Sequence, residues 1–257
     1  MDTSSIPSIS PDELRSLLGS PAAPLVLDVR RDVRFEESDR MLPRAQRVAP
    51  EQVAHFAAAH APGDAVVYCV HGLEIGQQAA AELRAAGWNA RFLQGGIDGW
   101  IEDARPSLRK RPDLGVACGR PSRWVTRERP KIDRIACPWL VLRFIDPLAR
   151  FFYVPAAQVF DEARRREAVA FDLPGAPITH DGELCSFDAL LKAFDLRDAG
   201  LDRLATIVRG ADTGRLDLAS QSAGLLAVSQ GLAKLHADDH AMLEAALPVY
   251  DALYASC

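Results

Sequence analysis

Cys69 closes the apolar run of "VVYCVHGLEIGQQAAAEL" (residues 66–83), and a short loop with one glycine separates it from a helical run of Gln, Ala and Leu. A cysteine on a strand-to-helix loop faces backbone N–H groups and the positive helix end, a field that favours the nucleophilic thiolate. The competing reading is a small buried residue at the end of a strand. A second set lies in the other half, where His180, Asp181, Glu183 and Cys185 cluster and all four types bind metals. In "AKLHADDHAML", His236 and His240 are four apart and Asp239 is three from His236, which puts them on one helical face. Asp239 and His236 fall within or beside an apolar stripe of Leu232, Leu235, Met242, Leu243, Ala246 and Leu247. A carboxylate there is costly without a cationic or metallic partner, and an internal Asp–His pair competes evenly with a metal site. No zinc-ribbon or HExxH pattern names the metal. Cys137 immediately precedes a predicted helix, and Cys185 stands just before Ser186, a suitable N-cap. Both positions favour thiolate, against the alternative of small buried hydrophobes. In "IVRGADTGRLDL", Arg209 and Asp212 at a helix end either face a pocket or form a helix stop with a local ion pair.

The elements that must position these residues differ between the halves. Residues 8 to 103 alternate strand runs ("PLVLDVR", "AVVYC", "ARFLQG") with helical runs ("SPDELRSLL", "EQVAHFAAAHA", "GQQAAAELRAAG"). Such alternation predicts a parallel sheet with helices on both faces, whose active loops lie beyond the carboxyl ends of the strands, where Cys69 falls. From Ala104 to Lys131 the texture turns basic and rich in proline, which reads as a linker. A solvated connector is favoured there over an anion or nucleic-acid contact. The second half is expected to be a mostly helical α+β domain. "CPWLVLRFI" reads as a helix with Pro138 at its first position, "RWVT", "RFFYVP" and "AVAFDLP" as short strands. "SFDALLKAF", "GLDRLATIVRGA" and residues 221–254 read as helices, the last broken near Pro248. The domains are set at 8–106, a linker at 107–122, and 123–257.

Composition narrows the function classes. Nearly half of the 257 residues are hydrophobic and a quarter charged, which fits a folded globular chain. The formal charge of −5 gives no general attraction to nucleic acid or anionic membrane. The N-terminus lacks the basic start and apolar core of a signal peptide and no apolar run approaches a membrane span, so the chain is read as cytoplasmic. Its five cysteines form no CxxC pair or disulfide framework.

Four stretches give the first half a resemblance to the rhodanese-like family: "VLDVR", "YCVHGLEIG", "AAAELRAAGW" and "LQGGIDGW". The resemblance implies a sulfurtransferase loop in which Cys69 takes a sulfane sulfur as a persulfide, cradled by backbone N–H groups from Val70 to about Ile75. It needs no cofactor, only a sulfane-sulfur donor and a thiol acceptor. Asp28 and Arg30 then hold the loop, and His71 is a nearby donor within it. Two positions depart from the family. Glu74 stands where an arginine is usual, and a carboxylate there raises the cysteine pKa and repels anionic donors such as thiosulfate. "RMLPRAQRV" also replaces a Gly-His-Ile-Pro-Gly-like turn.

The second half, through "RWVTRERPKIDRIACPWLVLRFIDP", "DGELCSFDALL", "IVRGADT" and "ADDH…YDALYASC", resembles the C-terminal domain of the chromate-resistance ChrB family. That implies a part in chromate resistance, with chromate, another oxyanion or a divalent metal of unnamed identity as ligand. His180, Glu183, Asp212, His236, Asp239 and His240 are the expected metal set. Cys137 and Cys185 are further thiols, and Arg134, Arg143 and Arg209 the expected anion contacts. ChrB regulators place a different domain in front of this one, which argues against transcriptional regulation. The alternative function is a non-enzymatic sensor or regulator of metal or oxyanion with a degenerate rhodanese loop.

Overall fold

The computed structural model describes residues 6–116 and 120–257. The chain divides into two compact units, residues 6–110 in one and Arg111–Val116 with Arg120–Cys257 in the other.

The first unit opens with β1 (Ser8–Ile9) and α1 (Pro11–Leu17); the Ser10 hydroxyl accepts from the Glu13 N–H at 3.2 Å, and Pro11 takes the first helical position. Then come β2 (Leu25–Asp28), α2 (Asp32–Glu37), β3 (Arg40–Met41), β4 (Ala45–Arg47) and α3 (Val53–Ala59). The unit continues with β5 (Asp64–Tyr68), α4 (Glu74–Ala85), β6 (Asn89–Leu93), α5 (Gly96–Glu102) and β7 (Leu108–Arg109). Strands β1, β6, β5, β2 and β4 form one sheet in that order, every pair parallel. Val66 and Val67 point to opposite faces and both are fully buried, so the sheet is covered on both sides. On one face Leu27 and Val67 pack with Ala57 of α3, Ala80 and Leu83 of α4, and Trp88. Asp28 ends β2, Tyr68 ends β5 and Cys69 follows it, all at the carboxyl edge of the sheet.

The stretch read as a basic linker is structured over its described part. Leu108–Arg109 pairs antiparallel with β3, and Leu108, Leu114 and Val116 are buried. Its cations are engaged: Lys110 donates to the Phe35 carbonyl, Arg111 holds Asp113 at 2.6 Å, and Arg120 holds Glu167 at 2.8 Å. Residues 117–119, Cys118 among them, lie outside the described residues.

The second unit holds β8 (Arg123–Arg127), α6 (Asp133–Leu140), a π-helical turn at Val141–Ile145, β9 (Arg150–Val154), α7 (Val159–Arg166) and β10 (Val169–Ala170). Then follow α8 (Ser186–Phe194), α9 (Ala199–Asp212), α10 (Ser222–Leu235) and α11 (Asp239–Ala255). Strands β10, β8 and β9 form a small parallel sheet. The fold class is as expected: a parallel sheet with helices, then a helix-rich α+β unit.

Two helix boundaries correct the sequence reading. Pro138 lies inside α6, which begins at Asp133 rather than after Cys137. A proline there has no N–H for the carbonyl four residues back, and that carbonyl, of Arg134, accepts from the Tyr153 hydroxyl at 3.3 Å instead. Residues 221–254 break at 236–238, not at Pro248, which α11 absorbs. The break is set by Asp238, whose carboxylate caps α11 by accepting from the Ala241 N–H at 2.8 Å. No helix among the described residues is long and apolar enough to cross a membrane.

Candidate functional site

The first site is built around the loop after β5. Cys69 is 5% exposed and belongs to the core beneath the sheet edge. Its carbonyl accepts from the Ile97 N–H at 3.0 Å and that of Val70 from the Asp98 N–H at 3.1 Å, so the start of α5 pins the loop. Gly72 has φ +69°, and a Cβ there would collide with the Leu93 carbonyl oxygen. Gly76, in the first turn of α4, lies so close that an added Cβ would stand 3.3 Å from Cys69 Sγ. The first-turn N–H groups of α4 have no partner within the helix and carry its positive end. A cavity of about 340 Å³ opens over this loop, lined by Arg30, Arg31, Arg34, Cys69, Val70, His71, Leu73, Glu74 and Ile75.

Behind the loop, Asp28 and Arg30 form a buried pair. Arg30 donates from Nε to Asp28 Oδ1 at 2.9 Å and from its terminal nitrogen to Oδ2 at 2.6 Å, and the Tyr68 hydroxyl donates to Oδ2 at 2.7 Å. Burial opposes the Arg30 charge, but the hydrogen bonds and charge of Asp28 leave its pKa raised. Burial, then the Asp28 charge, pushes the Tyr68 hydroxyl well up. Both residues are thereby fixed as supports; Asp28 has no exposed surface. His71 is exposed, with Nδ1 3.2 Å from Asp98 Oδ2. Glu74 opens α4 on the solvent side. Arg31 and Arg34, which sequence reading missed, set positive charge on the same cavity; their signal was the basic run "VRRDVR" directly after β2.

The second unit gathers a polar centre from four segments. His180 Nε2 lies 3.1 Å from Asp212 Oδ2, 3.5 Å from Asp133 Oδ2 and 3.6 Å from Asp172 Oδ1. Asp133 opens α6 and is fully buried; Oδ2 accepts from the Ser186 N–H, while Oδ1 has no hydrogen-bond partner. The preceding Ile132 adopts φ 34°, ψ −96°, a strained conformation for a β-branched residue, with its carbonyl held by the Tyr250 hydroxyl at 3.1 Å. Burial, followed by the charges of Asp212 and Asp172, holds the Asp133 carboxyl well above the usual carboxylate range. Burial and then Asp172 also raise Asp212, with His180 opposing. Asp172 is tied at Oδ2 to Arg127 (3.1 Å) and Arg134 (3.3 Å), and its Oδ1 accepts from the Ser186 hydroxyl at 2.8 Å. A cavity of about 370 Å³ adjoins, lined in part by Arg127, Lys131, Arg134, Asp172, His180 and Asp212.

The centre keeps two of the six expected metal residues, His180 and Asp212, and adds Asp133 and Asp172. Glu183 is 86% exposed and faces Arg215 at 3.4 Å. His236 caps the end of α10, so it does not share a helix with His240, whose ring meets Tyr153 edge-on at 5.4 Å. Asp239 finds its partner in the Arg129 backbone N–H at 3.1 Å, and Leu235, assigned to the apolar stripe, is 79% exposed. Burial sets both Cys137 and Cys185 against the thiolate form. Cys137 sits inside α6 rather than before a helix, and burial, then Asp133, pushes its thiol well up. Cys185 itself is the N-cap of α8, and burial, then Asp133, outweighs the helix field. Of the expected anion contacts, Arg134 lines the cavity. Arg143 is committed to Asp251 at 2.8 and 2.9 Å, and Arg209 turns toward Thr206 and Asp188. Of the missed aspartates, Asp172 had a signal, since it interrupts the apolar run of "VAFDLP"; Asp133, among the charges of "KIDRIA", had none.

The parallel sheet and the Cys69 loop define a rhodanese-like domain, and the family model of that description matches residues 10–103. The model for the ChrB C-terminal domain matches residues 124–257, and the chain belongs to that family; it is a ChrB-like protein with a rhodanese-like domain in its first half. Protein ChrB of Cupriavidus metallidurans is 38% identical over 132 residues, which are 51% of this chain and 39% of that protein. The chain therefore matches well under half the length of this curated relative. Similar solved structures include a rhodanese homolog from Thermus thermophilus (30% identity, 35% of this chain and 95% of that one, TM-score 0.29). Thiosulfate sulfurtransferase from Pseudomonas aeruginosa matches at 26% identity over 40% of this chain and 19% of that one, TM-score 0.34.

Proposed function

We propose that the chain serves chromate resistance in the cytoplasm by joining a rhodanese-type sulfurtransferase to a unit that binds a metal or an oxyanion. In the first unit the Cys69 thiolate attacks the outer sulfur of a thiosulfate-type donor. The donor S–S bond breaks, sulfite leaves with the electron pair, and Cys69 carries a persulfide. The first-turn N–H groups of α4 and the loop amides stabilise its outer, negative sulfur. An acceptor thiolate then attacks that sulfur and releases the Cys69 thiolate, so no outside oxidant or reductant is needed. The observation that carries this reading is the sulfur on the cavity wall with Gly76 against it, so that the helix start meets the sulfur through backbone alone. Arg31 favours an anionic donor, Arg34 less so because it is paired with Glu37 at 2.8 Å, and Glu74 opposes one. In the second unit, Arg127, Lys131 and Arg134 on one cavity support an oxyanion as ligand, beside His180 and the aspartates that support a metal.

A cysteine that is only 5% exposed, with Glu74 on the same cavity, favours a second reading in which the loop senses an anion without transferring sulfur. Sulfur transfer from thiosulfate to cyanide, measured for wild type and Cys69→Ser, separates the two. The first reading expects thiocyanate from the wild type and only background from the variant. Absence of activity in both, with thiosulfate and with a less anionic persulfide donor, would leave the sensing role.

A further inference from the structure

We propose that Asp133, His180 and Asp212 bind one divalent transition-metal ion, with Asp172 as the outer carboxylate that Arg127 and Arg134 hold in place. This deepens the metal-or-oxyanion reading of the second unit and rests on it. One donor atom from each of the three residues lies within 4.8 Å of the others. Ligands at roughly 2.0–2.2 Å from a common ion stand about 3 to 3.5 Å apart. The His180 Nε2 distances of 3.1 Å to Asp212 Oδ2 and 3.5 Å to Asp133 Oδ2 fall in that range before any ion is bound, so the Asp133 carboxyl would meet the ion through Oδ2 alone or through both oxygens.

A second observation points to a ligand. Asp133 is fully buried, yet its Oδ1 has no hydrogen-bond partner. Leaving a buried carboxylate oxygen this way is costly, and native interiors rarely do so. The Ser186 N–H holds Oδ2 and the Cys185 thiol faces the same carboxyl, which leaves Oδ1 able to take a cation. The charges agree: two carboxylates and a neutral imidazole balance a divalent ion, while Asp172 is already matched by two arginines. One imidazole with two carboxylates suits Mn²⁺, Fe²⁺ or Zn²⁺ and lacks the thiolates that select softer ions. Three protein ligands also leave a position open, and both His180 and Asp212 line the cavity that Arg127, Lys131 and Arg134 share.

The full chain, stripped with chelator, is titrated with Mn²⁺ by following the electron paramagnetic resonance signal of the free ion, and with Zn²⁺ by calorimetry. Mn²⁺ avoids the thiols. One ion per chain is expected, with Asp212→Asn and His180→Ala each weakening the Kd at least tenfold while circular dichroism stays unchanged. Both positions are partly exposed, so the variants should fold. No stoichiometric uptake of either ion, or unchanged uptake in both variants, would overturn the site. Sulfate binding that needs no metal, found together with either of those results, would leave the oxyanion reading standing without the metal site. Sulfur transfer is read on the same samples, so the Cys69 result stands or falls separately.

Discussion

The Cys69 loop and the Asp133 centre are held by different means. The loop is a run of neighbours, residues 69–76, fixed by backbone: a left-handed glycine, a helix start, and two carbonyls tied to α5. Among its side chains only the thiol takes part directly in the proposed chemistry. The centre is the reverse. Its four residues come from α6, the segment just after β10, the loop before α8, and the end of α9, and they meet one another through side chains. A backbone-built site tolerates change in what surrounds it until a Cβ intrudes. One built from gathered side chains fails when any one of them is lost.

Removing the support behind the loop breaks that contrast most severely. Asp28→Ala strips the partner from a guanidinium that is only 1% exposed and the acceptor from the Tyr68 hydroxyl. Loss of one member of a buried pair costs about 3–5 kcal/mol. For a unit of about a hundred residues that corresponds to a fall in Tm of more than 10 °C. Thermal unfolding followed by circular dichroism tests it. A fall under 3 °C would show that the loop stands without its side-chain anchor. Next in size is Gly76→Ala. The new methyl would sit 3.3 Å from Sγ, tight for the thiol and tighter once a second sulfur is attached. Transfer should drop tenfold or more with Tm within a few degrees, read from thiosulfate:cyanide kinetics beside a melt. Unchanged kcat/KM would mean that the persulfide points away from α4.

The same contrast explains what could be read in advance. The loop was legible because its parts are contiguous and local chemistry fixes them: strand, cysteine, Gly72, helix. The cap at Ser10 and the parallel sheet were legible for the same reason. In the second half, His180 and Asp212 stood out by type, but what they face is decided by packing across residues 133, 172, 180 and 212. Asp133 reads in sequence as a charged residue ahead of a helix expected to open at Pro138. Nothing local reveals that it is buried, or that Ile132 before it takes a positive φ. The histidines of "HADDH" misled because spacing implies a shared face only within one helix, and Asp238 ends that helix by capping the next.

The smallest effect would sharpen the comparison most. Glu74 is the one residue of the loop whose side chain argues against its chemistry, and its substitution asks whether the site depends on side-chain charge at all. It opens α4 on the same cavity as Arg31 and Arg34, exposed to solvent. Glu74→Arg changes the local charge by two at a screened position, where each interaction is worth about 0.3–1 kcal/mol. The expected result is a rise of several-fold in kcat/KM for thiosulfate, carried by KM and fading with salt as charges at this distance are screened. The helix dipole works the other way, since an acid suits a helix start, so Tm should slip by a few degrees at most. A neutral persulfide donor should show almost no change. Equal gains for charged and neutral donors would mean that Glu74 acts on the Cys69 thiolate rather than on the donor, and the loop would then be governed by a side chain as the Asp133 centre is.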